Sequence, residues 1–147
     1  MKVKEEAVLK FLTTLEGVAR AIRIEAEECG ILCGGISEKE LFVINYIGAN
    51  KNVKMSDIAE NIDTPMSTLT NIVDKLVEKK YLAREHDGTD RRVINVMLAE
   101  NGKTALKVLN SKKKQIAERA LSSFTEKEQN LFIQNMNLLA SSLSGKK

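Results

Sequence analysis

Residues 55–98 read MSDIAENIDTPMSTLTNIVDKLVEKKYLAREHDGTDRRVINVML, and the fold turns on how this stretch divides. Residues 55–62 predict a short helix with Ile58, Ala59 and Ile62 turned inward. Asp63 and Thr64 make a turn, and Thr64 can cap a second helix whose first position is Pro65, where a missing N–H costs nothing. Leu69, Ile72, Val73 and Leu76 form the inner face of that helix, which leaves Ser67, Thr68, Thr70, Asn71 and Lys75 on its other faces. Beyond residues 81–86, Asp87-Gly88-Thr89-Asp90 reads as a turn and residues 91–98 as a strand. There Ile94, Val96 and Leu98 alternate with Val93, Asn95 and Met97. Two short helices across a tight turn, then a β-hairpin, predict a winged helix-turn-helix.

The flanks are helical. Val8, Phe11, Leu12, Leu15, Val18, Ala19 and Ile22 fall three and four apart, and the glycines at 30, 34 and 35 mark the end of that helix. Ser37 and Glu40 form a capping box ahead of Leu41, Val43, Ile44 and Ile47, with a stop near Gly48. A long helix is expected over 102–121, and Thr125 with Glu128 repeats the capping box before Leu131, Phe132, Met136 and Leu139. The expected architecture is mainly α with a small β-hairpin wing. A single domain spans 1–147, with a winged helix-turn-helix lobe over 37–98 and dimerisation helices in 1–35 and 100–147. Neither outer stripe can be buried by a lobe already closed on its own core. Val8, Phe11, Leu12, Leu15, Phe124, Leu131, Phe132, Leu138 and Leu139 are therefore the candidate dimer contacts.

Composition excludes several function classes. At 147 residues, with 43% hydrophobic and 29% charged, the chain is ordinary globular material of one-domain size. Its apolar runs are far too short for a membrane span, and no signal-peptide stretch follows Met1, so a cytoplasmic protein is expected. One histidine, His86, and two cysteines, Cys29 and Cys33, offer no constellation for nucleophilic catalysis or a metal centre. No enzyme, cofactor or metal is expected. The net charge of +3 is mild, and residues 51–92 carry eight basic and eight acidic side chains. Any binding of nucleic acid must rest on where the cations sit.

A second helix of this kind meets base edges in the major groove through short polar residues and one or two cations. The hairpin tip Gly88-Thr89-Asp90-Arg91-Arg92 sets two arginines on a narrow projection, suited to the negative potential of a minor groove. Asp90 can hold one guanidinium as a bidentate pair. These residues resemble the MarR family (multiple antibiotic resistance regulators). The likeness is carried by Ile58-Ala59-Glu60, by the run from Ser67 through Leu76, by Asp90-Arg91-Arg92 and by Leu98-Ala99-Glu100-Asn101-Gly102, and the flanking helices extend it over essentially the whole chain. The resemblance implies a DNA-binding regulator whose outer helices interlock into a dimer. It places the helix from Pro65 in the major groove and the wing arginine in the minor groove, and it selects Asp90 as the residue that orients Arg92.

The chain departs from the family pattern at three places. Asp63 stands where glycine is usual and is expected at positive φ. Asn71 replaces a common arginine, trading phosphate contact for a bidentate adenine contact. Ala99 replaces a capping threonine, at a cost of about 1 kcal/mol. The candidate DNA contacts are Ser56, Ser67, Thr68, Thr70, Asn71, Lys75, Asp90, Arg91 and Arg92, with Arg91 and Arg92 on opposite faces of a strand.

The expected function is a homodimeric repressor on a promoter pseudo-palindrome, released by a small lipophilic or aromatic effector. Phe11, Leu15, Phe42 and Tyr46 are the candidate pocket, although the same residues would serve as core. Two alternatives stand beside it: an oxidation sensor using Cys29 or Cys33, and a winged-helix protein-interaction module without DNA function. Against the sensor, Glu25, Glu27 and Glu28 should raise a nearby thiol pKa. Met55, Met66, Met97 and Met136 read as core or gap filler, and His86 as a strand residue near phosphate.

Overall fold

The computed structural model describes residues 2–145 of the chain. The order of elements is α1 (Glu5–Leu32), α2 (Glu38–Ala49), β1 (Val53–Lys54), α3 (Met55–Asn61), α4 (Met66–Glu78), β2 (Leu82–His86), β3 (Ile94–Leu98), α5 (Glu100–Leu121) and α6 (Glu126–Leu143). The predicted helix-turn-helix and wing are both present. The wing is one strand richer than expected. Val53–Lys54 adds to the far side of β3, giving an antiparallel sheet in the order β1-β3-β2, with Val53 opposite Val96 and Leu82 opposite Leu98.

Local chemistry sets the helix ends. Ser37 accepts the Glu40 amide while Glu40 accepts the Ser37 amide, and Thr125 with Glu128 repeats the exchange, so both predicted capping boxes form. The C-termini of α1, α3 and α4 share one device. Each passes into a left-handed residue, Gly34 (φ 93), Asp63 (φ 47) and Lys80 (φ 61), whose successor's amide returns to the carbonyl five residues back. Asp63 is thus at the positive φ its departure from glycine suggested.

The start of α4 differs from expectation by one residue. Pro65 is the cap rather than the first helical position, and Thr64 turns its hydroxyl back to donate to the Ile62 carbonyl at 3.2 Å. The register of α4 is held instead by its inner face. Leu69, Val73 and Leu76 are completely or almost completely buried, packed with Ile44, Ile58 and Leu82. Each such side chain contributes about 1.5–3 kcal/mol through burial.

The chain divides into two compact units, the first ending at Lys112 and the second beginning at Lys113. The core described above lies in the first unit. There Lys112 on α5 pairs with Glu28 and Glu25 of α1 at 3.2 and 3.5 Å, which ties the two helices and raises the lysine pKa. In the second unit Phe124 and Phe132 stack with ring centroids 5.4 Å apart. Met66, Met97 and Met136 are exposed, contrary to their reading as core filler, and Met55 alone of the four packs against the core. Helical or strand spacing supplies the face of such a residue, but not whether another element arrives to cover it.

Candidate nucleic-acid interface

The outer surface of α4 carries the candidate base-reading groups. Ser67, Asn71 and Lys75, spaced four apart, are exposed, while Thr68 and Thr70 are partly buried. The Thr70 hydroxyl donates to the Met66 carbonyl at 2.8 Å, so it offers a partner only acceptor lone pairs. Among the described residues no hydrogen bond engages the exposed Asn71 side chain, which presents both amide donor and acceptor, the combination a bidentate adenine contact needs. Ser56 is exposed on α3. Asp74, on the same helix, accepts from Arg84 of β2 at 2.5 Å. That pair spends one of the local cations on holding the wing to α4, and its two ends, ten residues apart, were not legible in the sequence.

The wing tip is built by carboxylates that fold the backbone. Asp87 Oδ1 accepts the Thr89 hydroxyl at 2.6 Å and the amides of Thr89 and Asp90 at 2.8 and 3.4 Å. These bonds hold its pKa down at about 2, the Thr89 hydroxyl contributing most. Asp90 accepts the backbone amide of Arg92 at 2.9 Å, and its carbonyl accepts the Val93 amide at 3.0 Å. The expected bidentate pair between Asp90 and a guanidinium is therefore replaced by a bond to the backbone. Arg91 and Arg92 also sit inside the turn from Asp90 to Val93, with β3 beginning only at Ile94. The strand alternation expected to separate them does not operate there. Both arginines are exposed, and neither forms an ion pair among the described residues. His86 closes β2, its Nδ1 3.1 Å from the Arg91 carbonyl.

The other candidate sites fare differently. Phe11, Leu15 and Phe42 are exposed, and only Tyr46 of the four pocket candidates packs against the core. A cavity of about 120 Å³ lies elsewhere, lined by Leu32, Cys33, Tyr81, Asn101 and Thr104 among others. None of the four lines it. Cys29 and Cys33 are free thiols, both buried. Burial pushes the Cys33 thiol up to about 11, with Cys29 adding to the effect. The direction is as expected from sequence, but the cause is burial rather than the neighbouring glutamates. A buried protonated thiol is a poor nucleophile, which weighs against the oxidation sensor. No group of three or more potential metal ligands occurs among the described residues.

Comparison with known proteins places this geometry. The family model described as MarR family matches residues 35–93, which run from the end of α1 through both helices of the motif to the wing tip. Over those residues the chain is similar to the MarR family. The curated relatives it matches are described as HTH-type transcriptional regulators. Among curated relatives, the HTH-type transcriptional repressor MdtR of Bacillus subtilis is 34% identical over 94 residues, covering 64% of this chain. The chain spans 61% of that relative's length. Among solved structures, the YusO protein of Bacillus subtilis matches with a TM-score of 0.71 at 27% identity, covering 99% of this chain and 100% of the other. FabT of Streptococcus pneumoniae, solved in complex with DNA, matches with a TM-score of 0.79 at 23% identity, covering 98% and 100%. The mainly helical fold with its small antiparallel sheet is the fold these solved structures share. No helix among the described residues is long and apolar enough to cross a membrane.

Proposed function

We propose that this chain acts as a homodimeric repressor that covers a promoter pseudo-palindrome. Residues 37–98 serve as the reading lobe and the helices on either side as dimerisation arms. The observation that carries the reading is the pairing of an exposed polar face on α4 with two exposed arginines, without an ion pair among the described residues, on a carboxylate-braced tip. The description of MdtR as a repressor and the FabT–DNA complex support it. For the dimer, the support is apolar surface with nothing over it. Val8, Phe11, Leu12 and Leu15 on α1, and Phe124, Leu131, Phe132 and Leu138 at and along α6, are all exposed, with Leu139 partly covered. Stripes of that kind on a lone chain mark an obligate interface.

Release by a small-molecule effector is the regulatory half of the proposal. The half-open cleft of about 120 Å³ beside Tyr81 has room only for a very small molecule. A larger effector would need space formed between two protomers.

The test begins with DNA selected by the pure protein from a random pool. Half-sites are expected about 10 bp apart, and inserting about 5 bp should abolish bridging. Asn71→Ala should relax preference at one position by about 1–3 kcal/mol. Arg92→Ala should weaken binding to all sequences and lower the salt slope by about one. A solution mass near 16.4 kDa at micromolar concentration, or full affinity in a folded Arg91→Ala/Arg92→Ala double variant, would overturn the dimer and the wing contact respectively.

A further inference from the structure

The residue that leaves the recognition helix is bound on every side. The Tyr81 amide donates to the Leu76 carbonyl at 2.8 Å and closes α4, and the Tyr81 carbonyl accepts the Ala99 amide at 2.9 Å just before α5. Asn101, in the first turn of α5, donates its backbone amide to Lys80 at 3.2 Å and its side-chain amide to Lys79 at 2.9 Å. The Tyr81 phenol donates to the carbonyl of Cys33, 48 residues away at the end of α1, at 2.5 Å. One residue thus joins α4 to both α1 and α5 within the first compact unit.

Two glycines make room for this joint. A Cβ on Gly34, which has φ +93, would lie 2.7 Å from the Tyr81 hydroxyl oxygen, and one on Gly102 would lie 2.0 Å from the Tyr81 carbonyl oxygen. Such close approach on both sides leaves the tyrosine little freedom to move. The Cys33 residue is the C-cap of α1, so its carbonyl has no later helical turn to serve, and the phenol is its partner. The bond is a tertiary choice: any large apolar residue would fill the space beside the core, but only a hydroxyl reaches that carbonyl.

We propose that Tyr81 is a positioning residue for DNA reading, whose phenol holds the recognition helix at a fixed angle to α1. The inference rests on the reading of the chain as a DNA-binding dimer. The exposed stripe of α1 is the arm through which one protomer would meet the next, so the angle of α4 to α1 sets the distance between two recognition helices. Without the phenol bond α4 samples a wider range of angles, and a protein held less rigidly in its binding geometry pays more to bind and discriminates spacing less.

The experiment uses the full chain carrying Tyr81→Phe, which keeps the ring and its packing and removes only the hydroxyl. DNA is first selected from a random pool by the parent protein, and affinities are then measured on that site and on versions with one base pair added or removed between half-sites. The parent should favour its own spacing. In Tyr81→Phe that preference should shrink roughly three- to tenfold, the worth of one hydrogen bond expressed as a ratio. A purely structural role would lower the melting temperature and leave the spacing ratio alone. An unchanged ratio in the variant overturns the positioning role while leaving DNA binding intact. A parent protein that selects no DNA, or selects DNA without a spacing preference, overturns both the inference and the bridging dimer it rests on.

Discussion

Replacing Gly102 by alanine sets two physical effects against each other. Helix propensity alone favours the change, because alanine is better than glycine in a helix by about 1 kcal/mol. The tertiary contact opposes it. The new Cβ would stand 2.0 Å from the Tyr81 carbonyl oxygen and 3.0 Å from its carbon, both backbone atoms that cannot swing aside. Relief requires the start of α5 to retreat by roughly 1 Å. That retreat breaks or bends three hydrogen bonds: Ala99 to Tyr81, Asn101 to Lys80, and the Asn101 side chain to Lys79. At about 0.5–1.5 kcal/mol each, their loss comes to about 2–4 kcal/mol. The net is a destabilisation of about 1–3 kcal/mol, or roughly 3–10 °C in melting temperature for a chain of this size. Gly17→Ala is the control, since beyond the adjoining backbone of its own helix nothing lies within 4 Å of its would-be Cβ. That change should stabilise by about 0.5–1 kcal/mol. Thermal denaturation of parent and both variants at one fixed protein concentration reads the comparison directly. A Gly102→Ala protein that melts at or above the parent would refute the argument that close approach, rather than propensity, selects glycine there.

Two further outcomes follow from the titrating groups. The folded-state pKa of Asp87 lies below its ordinary value of 3.8, at about 2, so its loop bonds add stability above about pH 4 and lose it as pH falls through 2. A carboxyl titration followed by NMR should find the Asp87 midpoint near that value, and Thr89→Ala should move it upward; a midpoint of 3.8 in the parent would contradict the braced tip. The Cys33 thiol, pushed up to about 11 and buried, should react with a thiol reagent at neutral pH only after unfolding. Rapid reaction of the native protein with stoichiometric reagent would restore the oxidation-sensor reading.

What the sequence determined by itself is the set of elements and their order. Apolar spacing of three and four along α1, α4 and α6, alternation along β3, and the capping boxes at Ser37 and Thr125 are local signals, because the atoms involved are neighbours in the chain. The winged helix-turn-helix was legible for that reason. Only the tertiary structure decided the rest. β1 is two residues long, too short for any periodicity, and exists because β3 offers it a free edge. The wing tip follows carboxylate-to-amide bonds rather than strand alternation, so Asp90 braces the backbone of Arg92 and both arginines occupy the turn. Arg84 is claimed by Asp74, and Phe42 and three of the four described methionines stay exposed, because no other element arrives to cover them. The joint at Tyr81 was the least legible feature. Its partners lie 48 and 18 residues away, and nothing in the local pattern around a tyrosine says which distant carbonyl or glycine the folded chain will bring against it.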